Sequence, residues 1–156
     1  MTLAEQLPAA QSLVPRSMER LGQSYGYTLY RTTLSNEAEL TSIRLVDAND
    51  RAHVLLDGHI IATLYDRELL TAYTFAQPVP VRSGARLEIL VENMGRVNYS
   101  FMLERQRKGI DGCVVLNGHQ HYGWEMVALD EAALCSLQME GQSAVAGAPS
   151  VRRLSF

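Results

Sequence analysis

The segment RAHVLLDGHIIATLY, residues 51–65, constrains the fold more than any other part of the chain. Ala52, Val54 and Leu56 fall on one face of a strand, because side chains alternate with a period of two. Asp57-Gly58 then interrupts the apolar pattern, and apolar residues resume at 60–65. A two-residue hairpin turn needs positive φ at both central positions, and Asp-Gly supplies it. Two antiparallel strands are therefore written into this stretch, and a hairpin needs further strands to bury its apolar face.

Further strands are predicted on both sides. Residues 27–33 (YTLYRTT) are aromatic and β-branched, and 40–46 follow as a second candidate. Residues 71–75 alternate again before Pro78, Pro80 and Gly84, which predict a loop. The clearest alternation is 86–91, where Leu87, Ile89 and Val91 face one way and Arg86, Glu88 and Leu90 the other. Residues 97–103 come next. Residues 113–116 run into Asn117-Gly118, a second hairpin signal, and 124–129 close the series. Eight or nine short strands without a long helix predict an all-β chain, a jelly-roll-like antiparallel sandwich. Pro8 and Pro15 make residues 1–20 an irregular or partly helical lead-in. Residues 21–130 form the predicted domain. A short helix is expected over 131–140, and 131–156 make a C-terminal tail with a small-residue stretch at 141–149.

With 156 residues the chain suits one domain, large enough to fold without a disulfide or metal. Cys113 and Cys135 are predicted to be free thiols, buried or partly buried. His119 and His121 share a strand face, but without a third ligand nearby they make no metal centre. Neither a metal nor an organic cofactor is expected. The net charge of −3 and the absence of a basic block argue against nucleic acid. No apolar run reaches the roughly 20 residues needed to span a bilayer. The first ten residues carry Glu5 and no basic residue, so the chain taken alone reads as cytoplasmic. No nucleophile-elbow spacing and no Gly-rich phosphate loop is present.

One string stands out: ENMGRVNY at 92–99, entered from LEILV at 87–91. With it go SMERLGQSYGYTLYRTTL at 17–34, DRAHVLLDG at 50–58, Lys108-Gly109-Ile110 and Gly123-Trp124, in that order along the chain. This ordered set resembles family 35 glycoside hydrolases, the β-galactosidases, in the first β-domain after their catalytic barrel. It covers 15–130, and departs mildly at Ser100, where the family usually has Gly. The resemblance implies an accessory domain of an enzyme that hydrolyses terminal β-linked galactose. It further implies that both catalytic carboxylates lie on a barrel this chain lacks, so that the chain alone is no enzyme. It makes the tail 131–156 a candidate remnant of a following domain. The implied partner is that barrel, in cis or in trans. The alternatives are a free-standing carbohydrate-binding module and the product of a broken gene.

Two sets of residues are candidates for function. Glu92, Asn93, Arg96, Asn98 and Tyr99 would form a rim or domain-interface loop, turning at Asn93-Met94-Gly95, with Arg96 held by a carboxylate such as Glu92. Glu92 is expected to be structural, since a glycosidase needs a pair of carboxylates flanking the scissile bond. Tyr27, Tyr30, Tyr73 and Trp124 are a candidate sugar platform, with galactosides as the ligand, although aromatic residues at strand spacing more often fill a core. A domain built to pack on a barrel keeps an apolar face, so self-association is expected of the isolated chain.

Overall fold

The computed structural model describes residues 7–96, 98–99, 105–133 and 135. Among them are twelve strands: β1 (Ala9–Ser12), β2 (Tyr27–Leu34), β3 (Ala38–Leu45), β4 (Ala48–Asn49), β5 (Arg51–Leu56), β6 (His59–Tyr65), β7 (Tyr73–Val81), β8 (Ala85–Glu92), β9 (Gly109–Ile110), β10 (Val114–Leu116), β11 (His119–His121) and β12 (Trp124–Leu129). One short helix, α1 (Arg67–Leu70), follows β6. A six-stranded antiparallel sheet has the order β1-β12-β2-β8-β5-β6, and a four-stranded sheet the order β11-β10-β3-β7. The pair β4-β9 forms a small third sheet. The all-β sandwich expected from the strand pattern is the observed fold.

The core lies between the two large sheets. Tyr30, Ala52, Val54, Leu87, Ile89, Val91, Trp124 and Met126 enter it from the first, and Leu40, Ile43, Leu45, Phe75, Val81 and Val114 from the second. The alternation in β8 has its physical cause here. Leu87, Ile89 and Val91 are fully buried, while Arg86, Glu88 and Leu90 are half-buried on the outer face.

Both hairpins turn where the sequence requires. Asp57 and Gly58 have φ of 48° and 79°, and Asn117 and Gly118 have 49° and 80°. Asn117 has a second task that its turn propensity does not announce. Register shifts between Leu40 and Ser42 in the β3-β7 pair, and the Asn117 Oδ1 accepts the amides of Thr41 (2.8 Å) and Ser42 (3.1 Å) across that bulge. At Gly58 an added Cβ would meet nothing within 4 Å, so only backbone strain opposes a larger residue. Gly58→Val should therefore cost about 1 kcal/mol or more, and Gly58→Asn much less, because Asn tolerates positive φ. Urea midpoints decide the matter. Equal losses for Val and Asn would contradict a turn held at positive φ.

Four expectations need correction. The lead-in is not wholly irregular, since Ala9–Ser12 pairs with β12 as an edge of the six-stranded sheet. Pro78 and Pro80 do not lie in a loop but within β7. That strand is an edge of its sheet, where a missing N–H breaks no ladder. The twelve described strands add β1, β4, β9 and the returning hairpin strand β11 to eight of the predicted ones, and β1, β4 and β9 have no pattern of their own. Cys135 is exposed rather than buried, and Cys113 is half-buried. Of the expected strand 97–103, only residues 98 and 99 are described, and both lie in a bend. Helix is seen at 131–133 and 135, and the remainder of the tail lies outside the described residues.

Candidate functional site

The six-stranded sheet delivers the end of β8 to one end of the sandwich, and the loop that leaves it is tightly held. Gly95 has φ 110° and its amide donates to Asn93 Oδ1 (3.0 Å), a local side-chain turn. The Asn93 side chain donates to the Ser24 carbonyl (3.1 Å), and its own amide donates to Gly26 O (3.1 Å). The Met94 amide donates to Asp50 Oδ2 (2.7 Å). Asn93-Met94-Gly95 thus makes the predicted turn, bolted to residues far away in sequence.

Behind the turn lies a chain of charges. Lys108 is 1% exposed, and its ammonium lies 2.7 Å from each oxygen of Asp50. The Lys108 amide donates to both carboxylate oxygens of Glu19, each at 3.1 Å. Glu19 in turn pairs with Arg96 at 2.7 Å. Partial burial pushes the Glu19 carboxyl up, but hydrogen bonds from its own backbone, from Arg96 and from the Lys108 amide outweigh that and hold it below the ordinary range. Arg96 is therefore held by a carboxylate, as expected, but by Glu19 and not by Glu92. Glu92 lies beside β5, where it pairs with Arg51 (2.5 Å) and accepts from the Tyr27 hydroxyl (3.3 Å). Those contacts make it a cross-strand tie.

The side chains beyond the loop face solvent. Asn98 is exposed and Tyr99 is 95% exposed. At the end of β6, Asp66 takes φ 51°, and the helix α1 that follows leaves Leu70 71% exposed. A hollow of about 400 Å³ opens between these elements, lined by Tyr65, Asp66, Leu70, Met94 and Gly95. Tyr25, exposed, adjoins Ser24, the acceptor of the Asn93 and Arg96 bonds. Among the described residues, the exposed large apolar side chains Tyr65, Leu70 and Met94 thus share this hollow, Tyr25 adjoins a residue the loop is bonded to, and Tyr99 lies on the loop itself.

The proposed sugar platform is not assembled. Tyr30 and Trp124 are buried in the core. The Tyr30 hydroxyl donates to Arg16 O (2.9 Å) and accepts from the Ile110 amide (3.0 Å), and burial pushes its pKa well up, so it stays a donor. Trp124 packs edge-on to His121. Tyr73 is half-buried against Phe75, and Tyr27 is half-buried on the outer face of the six-stranded sheet. The exposed tyrosines are others: Tyr25, Tyr65, Tyr99 and Tyr122. Three of these precede a residue of positive φ, in Tyr25-Gly26, Tyr65-Asp66 and Tyr122-Gly123. That neighbour was the signal in the sequence, because a chain that turns out of a sheet takes its last side chain out of the core. Among the described residues no three His, Cys, Asp or Glu side chains gather as a metal-binding set.

Comparison with known proteins agrees with the sequence resemblance. The family described as "Beta-galactosidase, first all-beta domain" matches residues 15–130. A mouse (Mus musculus) protein named "Beta-galactosidase" is 35% identical over 138 residues, covering 86% of this chain and 20% of that protein. A "Beta-galactosidase" of Xanthomonas manihotis is 33% identical, over 82% of this chain and 21% of its own length. "Beta-galactosidase 17" of Arabidopsis thaliana is 31% identical, over 74% and 18%. The chain spans about a fifth of the length of the curated relatives it matches.

Proposed function

We infer the role of this chain from the family to which it belongs, the first all-β domain of β-galactosidases: it serves as a non-catalytic module that braces the catalytic part of such an enzyme. The loop of residues 93–99 would form one rim of that enzyme's substrate cleft, with Tyr99 reaching towards the sugar and Arg96 holding the loop. The parent reaction would be hydrolysis of terminal β-linked galactose, by carboxylates outside this chain. The observation that carries the reading is the gathering of Tyr25, Tyr65, Leu70, Met94 and Tyr99 around a loop pinned by Asp50, Lys108 and Glu19. Contiguous exposed apolar surface marks an interaction site. A loop held this firmly presents its side chains without an ordering cost at docking.

The test is a chimera of the Xanthomonas manihotis relative in which this chain replaces the segment it matches. The chimera should hydrolyse a chromogenic β-galactoside, and Leu70→Asp or Tyr99→Ala should lower turnover at least tenfold, while Ile60→Ala at the distant hairpin should not. The isolated chain should show no hydrolysis and should self-associate through the same end. A chimera indifferent to Leu70→Asp and Tyr99→Ala would mean that the loop is ordinary structure. Hydrolysis by the isolated chain that Glu92→Gln abolishes would overturn the non-catalytic reading.

A further inference from the structure

A second recess lies at the other end of the sandwich. Tyr27 of β2 pairs with Glu92 near the loop, whereas Thr33 pairs with Arg86, six residues and about 20 Å along the same strand. There a hollow of about 660 Å³ is lined by Gln11, Leu13, Thr33, Tyr122 and Glu125, among others. A smaller one of about 230 Å³, lined by Arg31 and Arg86, shares Thr32, Thr33 and Glu125 with it, so the two form one open groove.

The groove is firmly built. Its floor is fixed by the Gly123 amide donating to Leu13 O (2.9 Å) and by the Thr32 hydroxyl donating to Gly123 O (2.8 Å). The Arg31 guanidinium, its side chain 10% exposed, is locked to Glu125 at 2.5 Å, and Arg86 is paired with Glu88 at 2.9 Å. Two cations are thus matched by two anions, and the groove offers no excess charge to attract an ion. It does offer apolar surface: Leu13 is 73% exposed and Tyr122 57%. Planar polar groups in fixed positions beside an exposed aromatic ring suit a neutral ligand with many hydroxyls and one apolar face. That is the chemistry of a pyranose.

We propose that this groove is a saccharide-binding subsite, with the Tyr122 ring against the apolar face of a hexopyranoside and Glu125, Arg31 and Gln11 taking its hydroxyls. The site is remote from the loop of residues 93–99 and does not depend on the docking role proposed for it.

The test is a titration of the whole ¹⁵N-labelled chain, followed by amide chemical shifts, with methyl β-galactopyranoside, methyl β-glucopyranoside and lactose. The expected result is saturable shifts at Gln11, Leu13, Tyr122 and Gly123 with at least one of them. Tyr122→Ala should weaken binding at least tenfold, and Tyr65→Ala, at the opposite end, should leave it unchanged. Because Tyr122 is exposed, its truncation spares the fold, which the dispersion of the remaining amides verifies. No saturable shift with any of the three sugars would overturn the proposal, as would binding indifferent to Tyr122→Ala. Neither outcome bears on the chimera.

Discussion

Asp50→Ala is expected to cost about 3–5 kcal/mol, while Lys108→Met should cost no more than about 1–2 kcal/mol. The asymmetry follows from burial. The Lys108 side chain is 2% exposed, whereas that of Asp50 is 22% exposed. Removing the carboxylate leaves an ammonium in the interior with no counter-charge, and it also strips the Met94 amide of its acceptor. Removing the ammonium instead leaves a carboxylate that water still reaches, and methionine fills most of the volume of the lysine stem. Against a typical domain stability of about 5–15 kcal/mol, the first loss is severe and the second tolerable. The double variant should recover much of what Asp50→Ala loses, since its buried charge is gone. Urea unfolding of both single variants and the double variant measures all three quantities. A Lys108→Met variant less stable than Asp50→Ala would show that the pair is not the anchor described here. The consequence reaches the loop directly, because Asp50 is what the Met94 amide holds.

Gly109→Ala should be comparably damaging, at about 3 kcal/mol or more. A methyl group built at Gly109 would lie 2.2 Å from the Tyr30 hydroxyl and 3.3 Å from Met18, and the residue has φ 77°. Tyr30 cannot retreat, being fully buried with its hydroxyl between Arg16 O and the Ile110 amide. Displacing it leaves both backbone groups unpaired in the interior, in addition to about 1 kcal/mol for alanine at positive φ. Tyr30→Phe removes the oxygen that clashes. The two substitutions should therefore be less than additive by 0.5 kcal/mol or more, as expected of residues in contact. Strict additivity in the thermal or urea unfolding of the double variant would refute the steric account. Lys108-Gly109-Ile110 thus combines a buried charge, a missing side chain and a backbone donor, the first committed to Asp50 and the other two to the Tyr30 hydroxyl.

How much of this was legible in the sequence differs from element to element. The strands β5 and β12 are observed with the predicted bounds, because their alternation or composition is local and their ends are marked by turn residues. The edge strand β1 left no trace, since AAQS has little strand preference and becomes a strand only because β12 offers it a ladder. Pro78 and Pro80 misled for the converse reason: their penalty depends on whether the strand has a neighbour on that side, which is a property of the sheet.

The sequence by itself determined the fold class, both hairpin turns, the apolar face of β8 and the family resemblance, because each rests on residues within one or two strands of each other. It also marked the loop of residues 93–99. Tertiary structure decided which face of β2 is inside. Tyr27, Leu29 and Arg31 alternate with Thr28, Tyr30 and Thr32, both faces carry apolar residues, and a period of two says only which residues travel together. So Tyr30 went to the core with Trp124, and three of the four exposed tyrosines proved to be those that precede a residue of positive φ. Tertiary structure also chose the ion pairs. Arg96 found Glu19 instead of the nearby Glu92, because β8 had already laid Glu92 against Arg51. Charge attracts without regard to sequence separation, and only the packed sheets fix which charges come within reach.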